Sequence, residues 1–303
     1  MNLKESIEAL HEQQIAAVKV MRDNFAALQG VESRDFNFEP MNVRAVYNPA
    51  RAVSSAAKVD KATIEARPCF LCTANRPEGQ QSVNCLNDRY EVLVNPYPIF
   101  KRHFVIASKE HEPQAIEGRV GDMWELAREL EGYTVFYNGP RCGASAPDHL
   151  HFQAVPTTEL PLWEALRKTA LQPMTAESDA VMSKAVGLPI DVMVIDAVTA
   201  DGADRLMEAL LPFLPISDNE EWEPRFNLLA TSMKSMVRMA VVPRPCHRPT
   251  FYTGDPTDES GMTVSPASVD VAGVLVMPRR IDFDRLDEKT IRTIFNETCR
   301  VSC

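Results

Sequence analysis

The sequence contains no apolar run long enough to cross a bilayer. Its first residues, MNLKESIEALHEQQ, are charged from the outset and hold no apolar signal core. A hydrocarbon layer about 30 Å thick needs about 20 consecutive apolar residues, so a membrane role is not expected and the cytoplasm is the expected location. A basic balance is also missing: 32 Lys and Arg stand against 42 Asp and Glu, a net charge of −10, with no basic run. That sign repels nucleic-acid backbones and anionic lipids, so neither is an expected partner. There is no low-complexity segment, and the acidic stretch DNEEWEP reads as a solvated loop. A disulfide framework is absent too. Seven cysteines is an odd number, and they are scattered except for Cys69 and Cys72. In a long chain without a secretion signal, the remainder read as ordinary thiols.

What is present is an ordinary globular composition, 45% hydrophobic and 24% charged over 303 residues, enough for one large domain or two modest ones. Apolar positions at helical spacing (Leu3, Ile7, Leu10, Ile15, Val18, Met21, Phe25, Leu28) predict one long amphipathic helix over 3–29, with Gly30 as its C-cap. His11 on that helix either packs or faces solvent. FNFEPMNVRAVYNPAR reads as strands broken at proline. YEVLVNPYP and HFVIAS read as a hairpin, GRVGDMWELARELEGY as a helix, TVFYNG as a strand and LPLWEALRKTAL as a helix. A second half begins near residue 176. It holds a strand at IDVMVIDA, a helix at DGADRLMEALLPFL, and strands at RFNLLATS, MVRMAVVPR and VDVAGVLVMPRR. HFVIASKEHEP in the first half is echoed by MAVVPRPCHRP in the second, which suggests a duplicated unit with one half degenerate.

The densest chemistry lies in NGPRCGASAPDHLHFQ, residues 138–153. HLHFQAVP alternates with period 2, placing His149, His151 and Gln153 on one face of a strand. Two imidazoles there can divide labour, one binding a metal or orienting its neighbour, the other attacking phosphorus. The amide of Gln153 can hold a phosphate oxygen without supplying a base for water. The plain alternative is a pair of half-buried strand histidines. Cys69 and Cys72 in RPCFLCTANRP have metal-ligand spacing. Zinc needs about four N or S ligands; His111 and His149, each at the end of an expected strand, are the best additional candidates. A redox pair is the rival, but no helix-opening pattern follows it. Arg244 and Arg248, around His247, are either anion ligands or surface charges.

CFLC, then VNPYPIFKRHFVIASKEH, then FYNGPRCGASAPDHLHFQ together resemble, in order and spacing over about residues 45–156, the galactose-1-phosphate uridylyltransferases and dinucleoside polyphosphate phosphorylases of the histidine-triad superfamily. The later RFNLLATS, MAVVPR and VSPASVDVAGVLVMPRR resemble the later part of the GDP-hexose phosphorylases and the dinucleoside polyphosphate phosphorylases, and the whole chain resembles a bacterial domain family of that superfamily. The resemblance implies that His151 is the nucleophile and that Gln153, at the position that is glutamine in transferases and histidine in hydrolases, holds the nonbridging oxygens. It implies a structural zinc on Cys69, Cys72, His111 and His149. It points to Arg51, with Ser54, Ser55 and Lys58 behind it, for substrate phosphates, and to Asn95 near the nucleoside. Asn138, Gly139, Gly143 and Ser145 fall in the phosphate-cradling loop, where glycine permits close backbone approach. Two departures stand out. Leu150 replaces the proline usual in the uridylyltransferases, and no sugar-binding residues match.

The expected fold is α+β, two histidine-triad-like halves, each an antiparallel sheet with helices on one face. Residues 1–30 are expected to form an N-terminal helix, 31–175 the catalytic half and 176–303 the degenerate half. The expected activity is nucleotidyl transfer or phosphorolysis of a nucleoside diphosphate-linked substrate through a covalent nucleotidyl-histidine. A hexose-1-phosphate uridylyltransferase, a hydrolase of nucleotide conjugates and a non-catalytic nucleotide-binding protein are the alternatives. Expected partners are the nucleotide and a phosphate or sugar-phosphate acceptor, with a homodimer as the assembly to test.

Overall fold

The computed structural model describes residues 2–51, 61–216 and 223–301. Ser54, Ser55 and Lys58 lie outside the described residues. After β1 (Glu32–Phe38) and β2 (Met41–Tyr47), five strands follow in the first half of the chain: β3 (Ser82–Cys85), β4 (Tyr90–Val94), β5 (Phe104–Ser108), β6 (Tyr133–Asn138) and β7 (His151–Pro156). Five more follow in the second: β8 (Ala170–Ala176), β9 (Ala180–Val186), β10 (Met193–Ala197), β11 (Phe226–Met233) and β12 (Met236–Pro243), before a last strand, β13 (Val274–Met277).

The first five and the second five join into one ten-stranded antiparallel sheet in the order β3-β4-β5-β7-β6-β11-β12-β10-β9-β8. Each half runs three strands, a helix and two strands, and in each the last two strands swap places in space. The helices Val120–Glu129 and Ala200–Leu210 occupy equivalent places in the two halves and pack on each other. The internal echo is therefore real at the level of topology, but its sequence alignment needs correcting. β12 takes the place of β7, not of β5. Matching the terminal prolines Pro156 and Pro243 makes Arg238 the counterpart of His151. The cross-strand pair Ala107↔His151 then corresponds to Asp196↔Arg238. The second half carries a two-bond ion pair there, both bonds 2.7 Å, where the first half carries the imidazole.

β4, β5 and β6 are buried along their whole length, because both faces of the sheet are covered. One face, with Phe104, Phe152 and Ala154, packs on the N-terminal helices and on the two repeat helices. The other face carries Phe136, Val155, Leu229 and Ala240 against the helices Pro161–Lys168 and Glu288–Cys299 and the small sheet β1-β2-β13. Burying each large apolar side chain contributes roughly 1.5–3 kcal/mol. Each repeat's own helix lies on one face, as expected; the opposite face is filled by the C-terminal segment, which returns to pair β13 parallel to β2.

Local readings differ from the structure at four places. The N-terminal helix is two, Leu3–Ala17 and Lys19–Ala27, because Val18 is extended and buried between them. Gly30 sits in a 3-10 turn and is not a left-handed cap. VDVAGVLVMPRR holds a short helix, Ser268–Val271, then a turn at Gly273 with φ 102°, then β13. The β8–β9 hairpin had no strong period in the sequence. His11 packs, its ring edge-on to Phe25 at 5.0 Å.

Candidate active site

His151 is the first residue of β7, and Gln153 follows on the same face, while Phe152 points to the opposite core. At this end β6 leaves β7 to follow β11. The β6–β7 ladder stops at Phe136↔Gln153, while β6 still pairs with β11 at Asn138↔Asn227. Two diverging strands leave backbone groups without partners, which is costly in the interior. The side chain of Gln114, fully buried, closes the gap. Its Oε1 accepts the His151 N–H at 2.8 Å, and its Nε2 donates to the carbonyls of Asn138 and His151 at 2.9 and 3.0 Å.

The His151 ring lies with Nδ1 2.8 Å from the His149 carbonyl. A carbonyl only accepts, so the proton is on Nδ1 and the Nε2 lone pair is free. Burial, the largest effect, draws its pKa down to about 4, so the ring is neutral and nucleophilic near pH 7. Gln153 is oriented by His103, which is 1% exposed. The Ile99 N–H donates to His103 Nδ1 at 3.1 Å, so Nε2 carries the proton and donates to Gln153 Oε1 at 2.9 Å. The carboxamide therefore turns its NH2 away from His103, as a donor. His103 is held to about pKa 3, by burial first and by Arg51 second.

This pKa gives a stability prediction. Between about 3 and the unfolded value near 6.5, the unfolded chain binds a proton that the folded chain refuses. The stability from neutral His103 is full above about pH 6.5 and is lost as pH falls toward 3. The melting temperature of the wild type is expected to fall more steeply from pH 6.5 to 4.5 than that of His103→Gln. Parallel thermal-shift profiles would contradict the assignment.

His151 and Gln153 face a cavity of about 590 Å³, within the usual range for small-molecule sites. Arg51, Asn95, Asn138, Gly143 and Ser145 are among its lining residues. Gly139 does not; a Cβ there would lie 2.9 Å from the Phe226 carbonyl, so its glycine serves the packing of the loop on β11. Gly143 has φ 102°, and a Cβ on it would lie 2.4 Å from that of Ala267, so it both turns the loop and admits the C-terminal segment. The backbone N–H groups of Gly143 and Ser145 make no hydrogen bond among the described residues. Asn138 Oδ1 accepts from Asn227 Nδ2 and from the Ser268 N–H at 3.1 and 2.8 Å, which ties both repeats and the C-terminal segment to this loop. Arg51 donates to the Tyr97 carbonyl at 2.8 Å. Burial lowers its pKa to about 10, and Asp270 opposes that. Apolar residues Phe70, Leu93, Pro96, Ile99 and Val105 supply another part of the lining.

His149 precedes β7 instead of sharing it, and turns its ring to the side cluster. His149 Nδ1 lies 3.4 Å from Cys69 Sγ, 3.6 Å from Cys72 Sγ and 3.3 Å from His111 Nδ1, which is 3.3 Å from Cys72 Sγ, and ligand atoms from all four residues lie within 4.8 Å of one another. His149 Nε2 donates to the Ser108 carbonyl at 2.8 Å, leaving Nδ1 as the ligand atom. Burial opposes ionisation of Cys69, but the His149 hydrogen bond and the backbone N–H groups of Leu71 and Cys72 bring it down to about 7. The cluster can hold a metal ion. Arg67 bridges it to the cavity loop, donating to Asp148 at 3.0 Å and to the Ser145 carbonyl at 3.3 Å.

Two contributors are not legible in the sequence, His103 and Gln114; of the cavity wall from Arg244 to Val276, only the arginines flanking His247 stand out there. His103 immediately precedes the apolar strand β5, and a polar residue at that place is the one available signal. Gln114 gives none. Arg244 is fully buried, with its donors spent on the carbonyls of Thr298 and His247 and on the side-chain oxygen of Asn227; it is neither a surface charge nor an anion ligand.

Fold and site together define a two-repeat α+β protein with a histidine-bearing cavity and, beside it, a Cys/His cluster that could hold a metal ion. The domain of unknown function DUF4922 matches residues 10–156, a span that includes His151, Gln153 and all four cluster residues. No curated protein matches the sequence. Among solved structures, yeast Ap4A phosphorylase Apa2 aligns over 93% of each chain at 18% identity and a TM-score of 0.55. Its AMP complex aligns over 99% of this chain and 97% of that one, at 18% identity and 0.55. Its Ap4A complex aligns over 93% and 96%, at 16% identity and 0.57. The chain thus shares the fold of that phosphorylase along nearly its whole length, second repeat included. Among the described residues, no helix is long and apolar enough to cross a membrane.

Proposed function

We propose that the protein is a nucleotidyltransferase of the phosphorylase type, working through a nucleotidyl-His151 intermediate. The observation that carries this reading is the His151 ring, with its proton fixed on Nδ1 by the His149 carbonyl and its Nε2 lone pair left for the cavity. Nε2 attacks the α-phosphorus of a nucleoside diphosphate-linked substrate. A P–N bond forms, the P–O bond to the distal phosphate breaks, and its electron pair leaves on that oxygen. The imidazolium so formed keeps its Nδ1 proton against the carbonyl. In the second half-reaction a phosphate oxygen attacks the same phosphorus and the P–N electron pair returns to Nε2. Catalysis rests on positioning and charge neutralisation: the Gln153 NH2, the Gly143 and Ser145 N–H groups and Arg51 meet the phosphate oxygens. The fold shared with a phosphorylase whose structures hold AMP and Ap4A supports a nucleotide ligand.

The side cluster is assigned to zinc. Bonds of about 2.3 Å to sulfur and 2.0–2.1 Å to nitrogen imply donor–donor edges of about 3.3–3.8 Å in a tetrahedron, which four of the six separations, at 3.3–3.6 Å, match. Four protein ligands leave no open position, so the metal would fix the 69–72 loop to the approach of β7, leaving chemistry to His151.

Gln153 is assigned the choice of acceptor. An amide has no useful pKa near neutrality and cannot act as general base toward water, whereas phosphate is already a nucleophile. With millimolar-order phosphate present, nucleoside diphosphate is expected to exceed monophosphate among the products, and Gln153→His is expected to shift the partition toward monophosphate. Product chromatography tests this; mainly monophosphate from the wild type would favour a hydrolase.

A further inference from the structure

The cavity has a wall that the motifs around His151 do not supply. It comes from the C-terminal segment that follows β12. Buried Arg244 holds the start of this segment by donating to the His247 carbonyl at 2.8 Å, with its Nε on the Thr298 carbonyl at 2.7 Å. The side chain that follows His247, Arg248, lies over the Tyr252 ring, 4.1 Å from its centroid. Its Nε–H donates to Ser265 Oγ at 3.0 Å, and the same Oγ is 3.2 Å from His247 Nε2. His247, Arg248 and Ser265 all line the cavity. Among the described residues, neither Nη group of Arg248 has a hydrogen-bond or carboxylate partner. Stacking and the Ser265 bond fix the plane of a guanidinium whose two terminal donors remain unused. A planar fork of that kind matches two oxygens of a phosphate.

We propose that Arg248, with Ser265 and His247, forms a second anion subsite, for the phosphate group that leaves in the first half-reaction and attacks in the second. The proposal deepens the nucleotidyl-transfer reading and rests on it for the order of events, but the subsite itself stands on the C-terminal wall. The phosphate is either inorganic or carried by a sugar; the chemistry recognised is the same. The second half of the chain thereby acquires a role. Its own repeat has lost the imidazole, and it contributes the acceptor's binding group to the other repeat's site.

The test is calorimetric titration of inorganic phosphate and, separately, glucose 1-phosphate into the wild-type protein and into Arg248→Met and Arg248→Lys, at constant ionic strength, with AMP as reference ligand. At least one of the two phosphates is expected to bind the wild type, to bind Arg248→Met at least tenfold more weakly, and to show an intermediate loss with Arg248→Lys, which keeps the charge but not the fork. AMP affinity is expected to change by less than about twofold. Whichever phosphate shows the loss identifies the source. The proposal is overturned if neither phosphate binds the wild type, if Arg248→Met binds both as well as the wild type does, or if AMP weakens in parallel. Should Arg248→Met fail to fold, Arg248→Lys and Ser265→Ala decide by the same ratios. Arg248-dependent phosphate binding without any covalent adduct would reject nucleotidyl transfer and leave the subsite standing; an adduct with no effect of Arg248 would do the reverse.

Discussion

A His151→Gly variant is expected to bind nucleotide, to form no covalent adduct, and to lose turnover by on the order of 10⁴-fold or more, the scale seen when a nucleophile is deleted. The structure explains why so much rests on one ring. The other imidazoles are engaged elsewhere: His247, which also lines the cavity, has its Nε2 3.2 Å from Ser265 Oγ, His103 is neutral, with its Nε2 proton committed to Gln153, and His149 spends Nε2 on the Ser108 carbonyl and turns Nδ1 to the cysteines. The fold should survive the change, because the backbone of residue 151 is held by Gln114 independently of the ring. Equilibrium binding with rapid-quench turnover separates the two effects. Loss of binding together with activity would point to a structural role, and retained turnover would remove His151 from the mechanism.

The second large effect is expected from the metal. Elemental analysis should find one zinc per chain, and Cys69→Ser should lose it. Ligation contributes folding free energy outright. A loss of several kcal/mol, at about 2–4 °C per kcal/mol for a chain of this size, lowers the melting temperature by on the order of 10 °C. The fall should exceed the effect of chelator on the variant, which has no intact site to empty. Metal-free wild-type protein of unchanged stability would rule out a structural zinc. The position of the cluster makes stability the first property affected. Cys69 is buried and His149 is two residues from His151, but none of the four cluster residues lines the cavity, and Arg67 links the cluster to the cavity loop.

The sequence exposed what short-range patterns can carry. Cys69 and Cys72 are local, His111 follows an apolar strand and His149 precedes one, and the structure brings the four together. His151 and Gln153 share a face because a strand has period 2, and His149 left that face because β7 begins two residues later than alternation suggested. Hidden residues depend on distant pairings. His103 matters because β5 lies beside β7, with Val105 opposite Gln153. Gln114 matters because β6 and β7 part at their ends. Ser265 and Arg248, whose charge the sequence did show, reach the site because the C-terminal segment crosses back to pair β13 with β2. Gly139 and Gly143 look alike in the sequence, yet one packs under Phe226 and the other opens to the cavity. The internal echo misaligned because β12 kept the apolar frame and the terminal proline of β7 and replaced its two chemical residues with Arg238 and Ala240.

The most direct test of the nucleotidyl-His151 intermediate is intact-protein mass spectrometry of the wild type mixed with a panel of nucleotide sugars and dinucleoside polyphosphates in phosphate-free buffer, followed by peptide mapping of any modified species. The expected result is a mass increment of one nucleotidyl group, on the peptide containing His151, that is discharged when phosphate is added. An adduct mapped to another residue, or turnover of a panel member with no adduct and water as the acceptor, would contradict it.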